Sequence, residues 1–476
     1  MGARAFLVSL MACAALSAFA WEDHAPITYA ALAGEPYAAQ MVQAETLDAF
    51  LAAEKPALSA VLAGIEAKAK KALDYHPPLP PELAFTGEAP ETALRAAFLA
   101  AIRVNPSMPF PLFVQLPPGA PREGRPPLAI DQADPMGFRI PDPPFEALSP
   151  GEKVSVLEVA ATASDEPDYG MDVGLYADNG GAVGALYGFG KQPFGNPSLS
   201  YGSQAPIHMA FPHEDPLIKL AAPFTQRSLS AYRTLQYSTL ARFAFASGHP
   251  YWGWRFAGWA LHYVQDLAQP YHASMLPGLS AFQIIWLNLT GSAAAKNAAL
   301  VLVSNRHTVI EDYLYRAMAA PSGDAGRTLL YEALRLGPTS PRVESWRDDY
   351  AYDVVAWKSY RRAPAFDRLV AATFPAAYVS DPSYDYAAAG DVHDPYDELQ
   401  SQAPVKAAVF DEACASIFAD LGSWTRSFVA YASDPRAIEL PRKAPYDPRA
   451  LGYLAAVAAL VVVILALARK KGARAK

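Results

Sequence analysis

Cysteine is almost absent from this chain of 476 residues: Cys13 and Cys414 are the two present. Cys13 falls in a segment expected to be removed on export, which leaves the mature chain no partner for an intramolecular disulfide. Basic residues are also short, with 39 Lys and Arg against 47 Asp and Glu and a net charge of −8. That balance excludes a broad cationic surface, so duplex nucleic acid is not an expected partner; a small basic pocket stays compatible with it. Internal repeats are missing. With 52% hydrophobic and 18% charged residues, the composition excludes a disordered chain, a disulfide-stapled mini-domain and a polytopic membrane protein. A large globular body remains.

The two termini have the composition of export and anchoring segments. Residues 1–20 read as a signal peptide: MGAR supplies positive charge, AFLVSLMACAAL an apolar run, and Ala18-Phe19-Ala20 a small-x-small cleavage site. The mature chain would start at Trp21. A competing reading takes Leu10-Met11-Ala12-Cys13 as a lipobox with Cys13 as the lipidated first residue. At the other end the uncharged run Leu451–Leu467 predicts a transmembrane helix at 449–468, and Arg469, Lys470 and Lys471 open a basic cytoplasmic tail at 469–476. The expectation is an exported ectodomain, residues 21–445, held at a membrane by one C-terminal helix with its body extracytoplasmic.

Within that body, residues 77–150 carry 18 of the 43 prolines and read as an inserted region of loops and extended chain with little room for long helices. Tyr169 to Tyr201 is rich in glycine and aromatics, a composition that suits an ordered surface loop. From about 215 to 375 apolar residues recur at three and four positions, which predicts helices over SLSAYRTLQYSTLARFAFASG, YWGWRFAGWALHYVQDLA and a segment ending SNRHTVIEDYLYRAMAA. Gly248-His249-Pro250 separates the first two, and Pro270 is expected to break the second. The fold class expected is mainly α.

The second helix carries His262 and Asp266 four apart, on one face and able to meet one ion, and His272 follows after Pro270. The third carries His307 and Glu311 at the same spacing. Imidazole nitrogens and carboxylate oxygens so placed are what zinc accepts. A lone His-x3-acid pair is worth little, and His393 with Asp397 reads as a solvated loop. The full pattern His-x3-Asp-x5-His is rarer, expected about 0.02 times by chance in a chain of this size. His76 and His213 read as hydrogen-bonded structural residues, Trp252, Trp254 and Trp259 as core, and the sequon Asn288-Leu289-Thr290 as plain sequence.

On these residues the chain resembles the zinc-dependent phospholipase C and S1/P1 nuclease family, whose members bind three zinc ions through an N-terminal Trp, an early His, an Asp, a His, His-x3-Asp-x5-His and His-x3-Glu. The resemblance implies a mainly α helical domain and three Zn2+ ions. It implies Trp21 as a ligand through its amine and carbonyl, His24 as the early His, Asp168 with Asp172 as the alternative, and His208 with His213 as the alternative. His262, Asp266, His272, His307 and Glu311 match residue for residue. Asp266 would bridge an ion held by Asp168, His208 and His262 to one held by Trp21 and His24, while His272, His307 and Glu311 would hold the third. Asp168 is the implied catalytic group, orienting or deprotonating the attacking water. The reaction implied is hydrolysis of a phosphodiester. Residues 77–150 and 320–445 fall outside the resemblance.

Secondary features bear on the substrate. The segment between His272 and His307 holds two apolar stretches, AFQIIWLNL and AALVLV, each too short to span a bilayer. It is expected either to form a lip that meets the membrane interface or lines an acyl groove, with Trp286 at headgroup depth, or to be a helical hairpin packed in the core. A phospholipid is therefore the substrate expected. A single-strand nuclease or 3′-nucleotidase would instead stack bases on Tyr169, Tyr187, Phe189 and Phe194. A non-catalytic binding protein on a zinc scaffold is the third reading.

Overall fold

The computed structural model describes residues 24–434 except 122–123, 137–144, 199–200, 337–345 and 390–391. The expected signal peptide, Trp21, and the expected span and tail at 449–476 lie outside the described residues. Among the described residues no helix is long and apolar enough to cross a membrane. The fold is mainly α. The helices that carry or surround the site are α1 (His24–Leu32), α2 (Leu47–Ala72), α3 (Glu91–Ala101), α4 (Val156–Asp165), α5 (Ala205–His208), α6 (Ser230–Ala246), α7 (Pro250–Asp266), α8 (Pro270–Ala273), α9 (Ala281–Thr290), α10 (Ala293–Ala319), α11 (Ala325–Leu336), α12 (Trp357–Thr373) and α13 (Pro404–Ala432). Two antiparallel two-stranded ladders accompany them: β1 (Met41–Gln43) pairs with β4 (Lys153–Ser155), and β2 (Phe113–Gln115) with β3 (Phe145–Ala147).

Helix α7 is the centre of the molecule. Gly248, at φ +88°, ends α6 in the left-handed region, and Pro250 occupies the first position of α7, where its missing N–H costs nothing. Every residue from Tyr251 to Asp266 is buried, the condition of a helix with no polar face toward water. Helices α4, α6 and α13 pack around it. The α4 contact is close because small residues meet there: a Cβ on Gly258 would fall 2.5 Å from that of Ala163. Arg255 and Trp259 on α7 share a buried carboxylate partner. Arg255 Nε donates to Glu166 Oε2 at 2.8 Å, and Trp259 Nε1 donates to the same oxygen. Trp252, Trp254 and Trp259 are core, as the sequence suggests.

Helix α4 starts at a capping box in which Ser155 and Glu158 satisfy each other's backbone amides. Helix α7 ends at Asp266, before Pro270; the proline instead opens α8, so the turn that redirects His272 is made by residues 267–269. The proline-rich region departs from expectation in one respect. Between Pro90 and Pro106 the chain is free of proline, and α3 forms there. Phe98, Phe113 and Phe145 then join the same buried cluster as Trp252 and Trp259.

The glycine-rich segment also differs from the expected surface loop. Left-handed glycines at 170, 174, 188 and 190 turn the chain back on itself, so that Tyr169, Tyr176, Tyr187 and Phe189 point into the core. Residues beyond 320 complete the enclosure: α11 and α13 pack on each other and on α1. The segment between His272 and His307 is a helical hairpin of α9 and α10, with Ile284 and Asn288 the buried residues of α9.

Candidate metal centre

Five of the nine histidines, with Asp168, Asp266 and Glu311, come together around the C-terminal end of α7. His24 opens α1, Asp168 lies in the turn after α4, His208 ends α5, and His262 and Asp266 occupy the last turns of α7. His272 follows on α8, and His307 and Glu311 sit one turn apart on α10. They form three groups that could hold metal ions: His24, His262 and Asp266; Asp168, His208 and His262; and His272, His307 and Glu311. All eight side chains are buried, with Asp168 the most accessible at 7%.

The distances fit a cation between the donors. In a tetrahedral zinc site with bonds of about 2.0–2.1 Å, neighbouring donor atoms lie about 3.3 Å apart. His208 Nδ1 is 3.0 Å from His262 Nε2, and His272 Nε2 is 3.1 Å from His307 Nε2. Asp266 turns its two oxygens to different partners. Oδ2 is 3.2 Å from His208 Nδ1 and 3.3 Å from His262 Nε2, while Oδ1 is 3.5 Å from His24 Nε2 and 3.6 Å from His272 Nδ1. Fully buried, neither oxygen accepts a hydrogen bond among the described residues, nor does His24 Nε2 make one. A bound cation would satisfy these atoms, whose burial is otherwise costly. Asp168 Oδ1 lies 3.6 Å from His208 Nδ1 and 3.7 Å from His262 Nε2.

Neighbouring groups fix which nitrogen faces inward. A carbonyl only accepts, so His262 donates from Nδ1 to Ser164 O at 2.9 Å and presents Nε2 to the cluster. His24 Nδ1 lies 2.8 Å from Gln265 Oε1, which aims its Nε2 the same way. His208 is reversed: Nε2 faces Asp172 at 3.3 Å and Nδ1 faces the cluster. In the third group, Gln269 Nε2 donates to Glu311 Oε1 at 3.2 Å, and that oxygen is 2.7 Å from His307 Nε2.

The electrostatics divide the cluster in two. Burial pulls the His208 imidazole down, but Asp172 and Asp266 overcome it and raise it to about 10. His24 is raised too, against burial, by Asp266 and then Asp168. Asp266 itself is held well below the usual carboxylate range, against burial, by His262, His208 and His24. His272 and His307 behave oppositely: burial lowers the first to about 4 and takes the second well below the usual histidine range. Burial thus favours the neutral imidazole at both, the form a metal takes as ligand.

The alternatives are placed elsewhere. Asp172 forms a fully buried ion pair with Arg233, Oδ1 to Nη2 at 2.6 Å, and accepts from Tyr263 Oη at 2.6 Å, so it faces the back of His208. His213 donates from Nε2 to Tyr352 O at 2.7 Å, with its ring against Trp357. His76 pairs with Glu66 at 3.1 Å, a structural role as expected. His393 lies in a loop, as expected, but its ring is half-buried rather than solvated: it sits among Tyr378, Tyr384 and Tyr386 and hydrogen-bonds the first two hydroxyls at 2.9 and 2.6 Å, while Asp397 stays exposed at a helix start. Tyr169, Tyr187, Phe189 and Phe194 are each at most 4% exposed, so none is a platform on which a base could stack.

Sequence reasoning missed the supporting residues, Gln265 and Gln269 above all. Gln265 was open to notice as a polar position on an otherwise apolar stretch of α7, since such a group must find a buried partner. It also bonds Thr28 Oγ1 at 3.0 Å and so ties α7 to α1. Gln265→Leu is expected to weaken metal binding at the His24 end by about 10–100-fold, leaving the His272, His307 and Glu311 group unchanged. Chelator competition with site-resolved occupancy checks this. Comparison with protein-family models, curated proteins and solved structures finds no match for the chain.

Proposed function

We propose that the protein is a zinc-dependent hydrolase of phosphodiester bonds, phospholipase C-like, with three ions. The observation that carries this reading is Asp266, whose two buried oxygens each face imidazole nitrogens of a different group. In this assignment Asp168, His208, His262 and Asp266 would hold one ion. His24 and Asp266 would hold a second, which the amine and carbonyl of Trp21 would complete, and His272, His307 and Glu311 would hold the third. Bound zinc supplies Lewis acidity, lowering the pKa of water and neutralising phosphoryl oxygens.

The chain's own residues do the positioning. Asp168, at the accessible edge of the cluster, orients the attacking water and takes its proton. Gln265 and the Ser164 carbonyl hold the His24 and His262 imidazoles in their working orientation, and Gln269 holds the Glu311 carboxylate. A lipid is favoured over a polynucleotide because the aromatics that could stack bases are buried and an apolar cavity adjoins His307. Elemental analysis should find three zinc ions per chain, and the same preparation should release diacylglycerol from phosphatidylcholine rather than nucleotides from single-stranded DNA. Zinc without turnover on either substrate would leave a binding protein on a metal scaffold, and a chain that takes up no divalent metal sinks the reading altogether.

A further inference from the structure

Helix α9 has no charged residue, and it turns Phe282, Trp286 and Leu289 to solvent at 73, 59 and 73% exposure. Spacings of four and three put them on one face, with the Phe282 and Trp286 rings stacked at 6.2 Å. The opposite side, Ile284, Ile285 and Asn288, walls an apolar cavity that Phe211, Leu300 and His307 also line. One helix thus stands between an exposed apolar patch and a cavity that reaches a metal-site histidine.

Charge selects the occupant. From 267 to 310 the chain contains no Asp or Glu, although its net charge is −8, and Lys296 and Arg306 are the Lys and Arg of that stretch. Arg306 is paired with Asp367 at 2.7 Å, which leaves an apolar lip with Lys296 at its edge and no carboxylate of its own, a composition that matches phosphate headgroups lying over hydrocarbon. The chain also carries the uncharged run Leu451–Leu467, beginning sixteen residues after 434 and followed by Arg469, Lys470 and Lys471. Were that run to cross a bilayer, the sixteen residues between, at most about 55 Å long, would keep the body beside it.

We propose that α9 docks on a lipid surface through Phe282, Trp286 and Leu289, and that the cavity behind it seats an acyl chain drawn from that surface. The docking stands on its own; what happens at the His307 end rests on the phosphodiesterase reading. The test uses the full chain, metal-loaded, with phosphatidylcholine vesicles whose acyl chains carry bromine, and isolates Trp286 emission by subtracting the Trp286→Phe variant. Bromine is expected to quench Trp286. The variant F282S/W286S/L289S should lose roughly tenfold or more of its turnover on vesicular long-chain lipid while hydrolysing a soluble chromogenic phosphodiester at the wild-type rate. Ala221→Phe, on the far wall of the cavity, should slow long-chain but not dihexanoyl lipid.

Trp286 emission that ignores bromine overturns the docking, and equal slowing of both lipids by Ala221→Phe overturns the acyl seat. Blue-shifted Trp286 emission before vesicles are added would assign the face to the chain's own C-terminal run, and a dimer dissolved by the triple variant would assign it to a second copy; either overturns the proposal. If no phosphodiester is hydrolysed, the proposed function fails while bromine quenching still decides the docking.

Discussion

Asp266→Asn is expected to remove metal and activity together. Its two oxygens lie 3.2–3.6 Å from nitrogens of His24, His208, His262 and His272, histidines drawn from all three groups. An amide keeps the shape but presents one neutral oxygen and an NH2 that repels a cation. At least two ions should be lost on elemental analysis. Phosphodiester turnover should fall on the order of 10^3-fold or more, since the charge stabilisation at stake is several kcal/mol. Folding is a separate readout: circular dichroism of the variant in chelator should match the wild type in chelator. Full activity with full zinc content would remove Asp266 from the centre of the assignment.

Asp172→Ala should act on stability first. Arg233 is fully buried, with Nε and Nη2 bonded to Asp172 Oδ1 at 3.0 and 2.6 Å, and its remaining partners are the Ile102 and Arg103 carbonyls and Gln236. Removing the carboxylate strands a buried guanidinium, which costs about 3–5 kcal/mol. It also frees the back of His208 and the Tyr263 hydroxyl. Urea denaturation in the presence of chelator measures the first effect without the stabilising contribution of metal. Asp168→Ala is the contrast: zinc and turnover should go, without a comparable loss of stability. If the two variants trade places, the ligand is Asp172 and the placement of Asp168 at the cluster has no catalytic meaning.

These two aspartates show where sequence reasoning stops. His262 with Asp266 and His307 with Glu311 were legible because an α-helix puts residues four apart on one face whatever surrounds it. Asp168 and Asp172 are also four apart, and His208 and His213 are neighbours in sequence, yet each pair splits between the cluster and elsewhere. Their choice depends on where Arg233, Tyr352 and Trp357 arrive from distant parts of the chain. The central α7, bounded by Gly248 and closed before Pro270, was equally legible from its period and its punctuation.

The aromatics of the glycine-rich segment went the other way. Composition suggested a surface loop, but composition does not report which way a turn points, and left-handed glycines turned those rings inward. His393 followed the same logic, enclosed by three tyrosines that the spacing to Asp397 does not reveal. By itself the sequence determined the helical class, the two short chelating pairs and the shortage of cationic surface, because these follow from periodicity and counting. Tertiary structure alone decided that Asp168 rather than Asp172, and His208 rather than His213, lies among those pairs and that α9 turns its apolar face to solvent. Such facts are long-range: they depend on which buried polar groups find partners when helices more than 200 residues apart, such as α1 and α7, close on one another.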